Sequence, residues 1–308
     1  MKTIKSGDIM DNQVKRIRSA EKGAKISIAI YILLAVSKIA VGNLLQSSSL
    51  SADGFNNFTD VVSSVTILIG LKTARKPADH NHPYGHWKAE PIASLITSFV
   101  MLFVGFQVLI SSVTRLVTGD IAQPSQSAAI VAVLGAIVLF LLYRYNMTLA
   151  NKVNSSGLKA VAKDNLADGL TSLATAVAII AASVGWAWLD SIMAIIVSLI
   201  ILKTGLDVFK ESAFSLSDGF KTKKLAEYEK AIQAITDVKA VASIKARMYG
   251  ANTYVDVTIL VDGHMTVQEG HDITEIIERT LYEEYDVLHT DVHVEPEDLK
   301  KQYSNEQI

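Results

Sequence analysis

The sequence predicts an integral membrane protein: six transmembrane helices followed by a small α+β cytoplasmic domain. Three observations carry this. Half of the 308 residues are apolar and the mean hydropathy is +0.30, more than an ordinary soluble domain shows. The apolar residues are gathered into long runs rather than spread along the chain. The charge also divides: residues 1–217 hold 13 Asp/Glu and 19 Lys/Arg, net +6, whereas residues 218–308 hold 18 and 10, net −8. A composition shift of that kind separates domains, here 1–217 from 218–308.

Residues 26–46, 91–114, 125–143, 169–188 and 189–209 each supply an apolar run, the last two separated by GWAWLD. A helix crossing the hydrocarbon core needs about 20 such residues. Residues 49–71 make a sixth run if the polar residues of SADGFNNFTD (51–60) are tolerated. The first 25 residues are polar and basic, unlike a cleaved signal peptide. Gly42, Gly105 and Gly135 are expected where helices approach closely.

Lys and Arg in short loops mark the cytoplasmic side. Seven precede the first span: Lys2, Lys5, Lys15, Arg16, Arg18, Lys22 and Lys25. Lys72, Arg75, Lys76 and Lys88 fall between spans two and three, and Arg144, Lys152, Lys159 and Lys163 between spans four and five. The opposite segments, around 43–50, 115–127 and 183–188, hold only Arg115. Both termini are therefore expected in the cytoplasm. The tail reads as helix (224–235), two alternating strands (VASIKARM and TYVDVTILV) around a YGAN turn, helix (267–285) and strand (287–296). About 90 residues make one modest core, and such units often gain stability by dimerising.

Inside a span every ionisable side chain needs a reason, because Asp at the bilayer centre costs about 2.5–3.5 kcal/mol even on the lenient insertion scale. Asp53 and Asn57 are four apart and share a helix face. In AKDNLADGL, Asp164 and Asp168 repeat the spacing. If the two helices pack together, three carboxylates and one amide carbonyl converge. Without a cation such a site holds repelling charges that protons would have to neutralise. The bland alternative is that these residues cap helices near the interface or pair with Lys38. Neither motif contains His or Cys, and the whole chain has no cysteine. Oxygen-only donor sets suit hard divalent cations, Mn²⁺ or Fe²⁺ before Zn²⁺. Asp60, seven residues after Asp53, either extends the path towards the cytoplasm or stands at a polar contact.

A second candidate is the loop PADHNHPYGHWKAE (77–90), where Asp79, His82 and His86 could close on a metal while Pro83 and Gly85 turn the chain. Its plain alternative is a solvated loop at the membrane surface. In the tail, His271, His293 and Glu295 are candidate ligands, or merely surface residues. The acidic tail argues against nucleic acid as a partner. No HExxH, GxSxG or comparable nucleophile-and-base pattern indicates an enzyme.

With these residues assembled, the chain resembles the cation diffusion facilitator family over nearly its whole length. The resemblance rests on six spans, the paired oxygen residues of spans two and five, PADHNHPYGH, and the αββαβ tail. It implies a ferredoxin- or metallochaperone-like tail. It implies a homodimer, joined through that tail and the transmembrane helices, that exports divalent cations from a bacterial plasma membrane in exchange for protons, with no cofactor. It carries a four-residue transport site onto Asp53, Asn57, Asp164 and Asp168, and a loop site onto Asp79, His82 and His86. Zinc-handling members usually begin the span-five pair with His and have two Asp in span two. Asp164 and Asn57 depart from that and look like the manganese-exporting bacterial branch, with a broader Zn²⁺, Fe²⁺ or Co²⁺ exporter as the alternative. The tail site carries over poorly, since Ala242 and Thr258 stand where zinc members place His.

Overall fold

A computed structural model of the chain describes residues 6–44, 48–118, 126–183, 186 and 188–297. The chain divides into two units, Met1–Ala213 and Phe214–Ile308. The described residues include six long helices before the tail: α1 (Ser6–Leu44), α2 (Ser48–Ala74), α3 (Ala89–Thr118), α4 (Gln126–Val153), α5 (Ser156–Ser183) and α6 (Trp188–Leu216). By length and composition, three stretches among them are apolar enough to cross a membrane: Val14–Val41, Ala89–Thr118 and Ala129–Val153.

The helices outrun the apolar runs. The first begins at Ser6 rather than 26, and the fifth spans Ser156–Ser183 rather than 169–188. The loop expected to hold Arg144, Lys152, Lys159 and Lys163 therefore shrinks to Asn154 and Ser155, and all four basic residues lie on helices. Hydropathy marks the stretch that lipid can solvate, but a helix continues until a stop signal. Here the stop is Asn154, at φ 54° in the left-handed region that Asn tolerates. Ser155 then opens α5, its Oγ accepting from Leu158 N at 3.1 Å.

α4 packs along α5 and α1 along α2; α1 also meets α4, and α3 and α2 both meet α5. Small residues permit this. A Cβ on Gly54 would lie 2.9 Å from Ile39 N and 3.1 Å from Ala35 O, so α2 rests against the α1 backbone there. A Cβ on Gly70 would lie 2.4 Å from the Ala93 Cβ of α3. Gly105 faces Leu202 and Gly135 faces Lys38, while the surroundings of Gly42 lie outside the described residues. Leu33, Val36, Phe103, Ile110, Ile130 and Leu141 are exposed on the outer helix faces, a distribution that suits lipid rather than water.

The second unit runs α7 (Thr222–Gln233), β1 (Ala240–Tyr249), β2 (Asn252–Val261), α8 (Val267–Tyr285) and β3 (Val287–Pro296), the αββαβ order expected. The sheet order is β1-β2-β3, with β1 antiparallel and β3 parallel to the central β2. Val255, Val257, Ile259 and Val261 alternate onto the core face of β2 and meet Tyr228 and Ile232 of α7 and Ile273, Ile277 and Leu281 of α8. α8 starts at a capping box: Thr266 accepts from Glu269 N, and the Glu269 carboxylate accepts from Thr266 N at 2.7 Å.

Candidate metal centres

Two clusters among the described residues can each bring three ligand atoms within 4.8 Å of one another: Asp60, Asp164 and Asp168, all buried, and Asp79, His82 and His86 in the loop. The first joins α2 to α5. Asp164 and Asp168 sit two to three turns inside α5 and Asp60 lies midway along α2, so none of the three caps a helix end. They line a cavity of about 40 Å³, room for a water or a partly hydrated ion, closed by Ser63, Met101, Thr171 and Ile201.

The sequence left Asp60 as either a step on the path towards the cytoplasm or a polar contact; the structure groups its carboxylate with those of Asp164 and Asp168. Asn57, one turn before it, is fully buried and donates through Nδ2 to Asp60 Oδ2 at 3.1 Å. Its Oδ1 is buried and has no hydrogen-bond partner among the described residues. A buried amide oxygen left in that condition is an atom a cation can satisfy. Asp53 belongs to α2, but its side chain lies outside the described residues. Lys38, the alternative partner, is buried and donates to Ser172 Oγ at 3.2 Å.

A row of polar side chains, unnoticed in the sequence, leads away from the cluster. Tyr31 of α1, fully buried, donates its hydroxyl to Asp168 Oδ2. Asn165 Nδ2 donates to Tyr31 Oη at 2.9 Å. Asn146 Nδ2 donates both to Asn165 Oδ1 at 2.8 Å and to Ser27 Oγ at 2.7 Å. Ser27 closes the row on Gly23 O at 3.2 Å. The available signal was spacing: Tyr31 precedes Lys38 by seven residues, so both share a face of α1. Glu90, buried at the start of α3, was also missed. Its Oε1 accepts from Ser155 Oγ at 2.5 Å and Gly157 N at 2.9 Å, tying α3 to the start of α5.

In the loop, Asp79 Oδ1 accepts from His82 N at 2.8 Å and Asn81 N at 3.0 Å, with His82 Nδ1 at 3.1 Å. The His82 side-chain hydrogen bond, aided by the two backbone N–H groups, holds the Asp79 carboxyl below its ordinary range. His86 Nε2 lies 3.4 Å from Asp79 Oδ2. Its Nδ1 lies 3.3 Å from the Pro77 carbonyl, which can only accept, so Nε2 is left as the ligand-bearing nitrogen. Gly85, at φ 81°, makes the turn that returns His86 to Asp79. This arrangement fits a divalent cation with mixed nitrogen and oxygen donors. In the tail, His293 Nε2 pairs with Glu295 Oε1 at 2.8 Å, while His271 pairs with Glu275 on α8 at 3.5 Å. Among the described residues these three do not form a metal-sized cluster.

The chain matches two family descriptions: "Cation efflux transmembrane domain" over residues 24–217 and "Cation efflux protein, cytoplasmic domain" over residues 221–297. It is 43% identical to the manganese efflux system protein MneS of Bacillus subtilis, over 92% of this chain and 98% of that protein. It is 31% identical to the manganese efflux system protein MneP of the same organism, over 92% and 98%. It is also 31% identical to the magnetosome protein MamB of Paramagnetospirillum magneticum, over 82% and 86%.

Proposed function

The chain belongs to the cation efflux family of membrane metal-ion transporters, and from that premise we propose that it exports Mn²⁺ in exchange for protons through a site built on Asp60, Asp164 and Asp168. The observation that carries the reading is the convergence of three buried carboxylates from two helices on one small cavity. Asn57 supplies a fourth oxygen. The donor set is all oxygen, which suits Mn²⁺ better than Zn²⁺, and two relatives carry manganese efflux in their names.

In this reading all six helices span the plasma membrane of a bacterial cell, and both termini are cytoplasmic. The tails of two copies meet there, and their net negative charge raises the local cation concentration. The ion enters from the cytoplasm and displaces protons from the carboxylates. The helices then rock outward, and external protons compete the ion off. Proton and metal share the same oxygens, so coupling requires no separate relay. Asp53, seven residues before Asp60 on α2, is kept as a further candidate carboxylate of the same site. The loop cluster is a second cation site, with imidazole donors that accept softer ions. In the tail, His293 and Glu295 offer two donors of a weaker regulatory site that needs further ligands.

The test is Mn²⁺ flux into proteoliposomes under an imposed pH gradient, with pH followed inside. Asp60→Ala and Asp168→Ala should abolish both the flux and the accompanying proton movement. Full flux in either variant, or wild-type flux that moves no protons, sinks the corresponding part of the reading.

A further inference from the structure

We propose that Tyr31 is a positioning residue that sets cation selectivity: its hydroxyl occupies Oδ2 of Asp168 and biases that carboxylate towards donating a single oxygen to the ion. The inference rests on reading Asp60, Asp164 and Asp168 as the cation site.

The direction of the row that ends on Asp168 is fixed from its far end. Gly23 O can only accept, so the Ser27 hydroxyl donates to it and its oxygen is left to accept from Asn146. The second proton of the Asn146 amide goes to Asn165 Oδ1, which turns the Asn165 amide nitrogen towards Tyr31. The Asn165 N–H occupies a lone pair of the phenolic oxygen, and the phenolic proton is delivered to Asp168. Four side chains from three helices thus fix a hydrogen bond on Oδ2 of Asp168. Ser27, Tyr31, Asn146 and Asn165 are all buried, so water does not compete for these bonds. Two members of the row are amides, which do not release protons under these conditions. The row therefore orients rather than conducts.

The consequence is coordination number. A carboxylate that is free to chelate adds two oxygens to a shell. Large hard cations such as Ca²⁺ accept this readily, because they take 6–8 oxygens at long distances. Smaller octahedral ions do better with one oxygen from each carboxylate. A hydroxyl on Oδ2 weakens that oxygen as a donor and fixes the carboxylate plane, which disfavours chelation.

The experiment is Mn²⁺ transport in proteoliposomes with Ca²⁺ as competitor, on the full chain and on Tyr31→Phe. The expected result is that the ratio of the Ca²⁺ inhibition constant to the Mn²⁺ KM falls about tenfold in Tyr31→Phe, the scale on which hydrogen-bond partners of metal ligands act. Asn165→Leu, which releases the hydroxyl without removing it, should shift the ratio in the same direction by less. It carries the test alone if Tyr31→Phe fails to fold. An unchanged ratio, or transport of all cations lowered in parallel, overturns the proposal, because a merely structural role would not move selectivity. Wild-type protein that carries no Mn²⁺, or Asp168→Ala with full flux, would instead overturn the assignment of the site.

Discussion

Asn57 and Asp164 are the two positions where donor hardness can be altered while the packing volume is roughly kept. In the proposed all-oxygen shell, Asn57→Asp with Asp164→His exchanges an amide for a carboxylate and a carboxylate for an imidazole, leaving the charge with a neutral His unchanged. Zn²⁺ flux should then rise relative to Mn²⁺ flux in a competition assay; an unmoved ratio would place selectivity elsewhere. Asp79 gives a pH prediction. Its carboxyl is held low by the His82 hydrogen bond, so its contribution to the loop is present above the ordinary carboxylate pKa of about 4 and is lost only as pH falls through the lower folded value. Amide exchange at Asn81 and His82 should stay slow down to that lower pH, and Asp79→Asn should make it fast at neutral pH. The sequence showed the aspartates of α5 directly, because two carboxylates in an apolar run demand a reason. It did not show which turn of α2 stands level with them. Periodicity fixes a face, and Asp53, Asn57 and Asp60 fall near one face. The height at which two helices meet depends on tertiary packing, which periodicity does not encode.

At the scale of elements, the close contact of α2 with α3 depends on Gly70. Gly70→Ala drives a methyl to within 2.4 Å of the Ala93 Cβ, so one helix must move. The expected cost is about 1–3 kcal/mol, read as a lower melting temperature of the full chain in detergent. Gly70→Ala with Ala93→Gly should recover most of it. The tail helix and strand at 267–285 and 287–296 were legible to the residue. A capping box opens α8, and Asp286, left-handed at φ 57°, closes it before β3. Of the six spans expected, three stretches among the described residues are long and apolar enough to cross a membrane, and the helices before the tail run past the apolar stretches that mark them. Their polar ends are specified by Asn154, Ser155 and the buried Glu90, none of which hydropathy weighs.

For the whole molecule, the three carboxylates of the candidate site lie within Met1–Ala213, and the matched cytoplasmic domain begins at residue 221. Removing residues 218–308 should therefore lower the dimer fraction measured by light scattering in detergent while leaving Mn²⁺ binding within about threefold, on the scale that a lost dimer contact rather than a lost ligand would set. Loss of binding together with the dimer would mean that the site needs a second copy to hold its shape. The loop that carries Asp79, His82 and His86 leads directly into Glu90, and Glu90 grips the first residues of the helix that bears Asp164 and Asp168. Sliding α3 along α5 would strand a buried carboxylate without its donors, at a cost of several kcal/mol. The cheap motion is then one in which α3 and α5 swing as a single blade, and a cross-link joining their starts should leave flux intact. The hinge of any alternating-access cycle must lie elsewhere, along seams that no such rivet fastens.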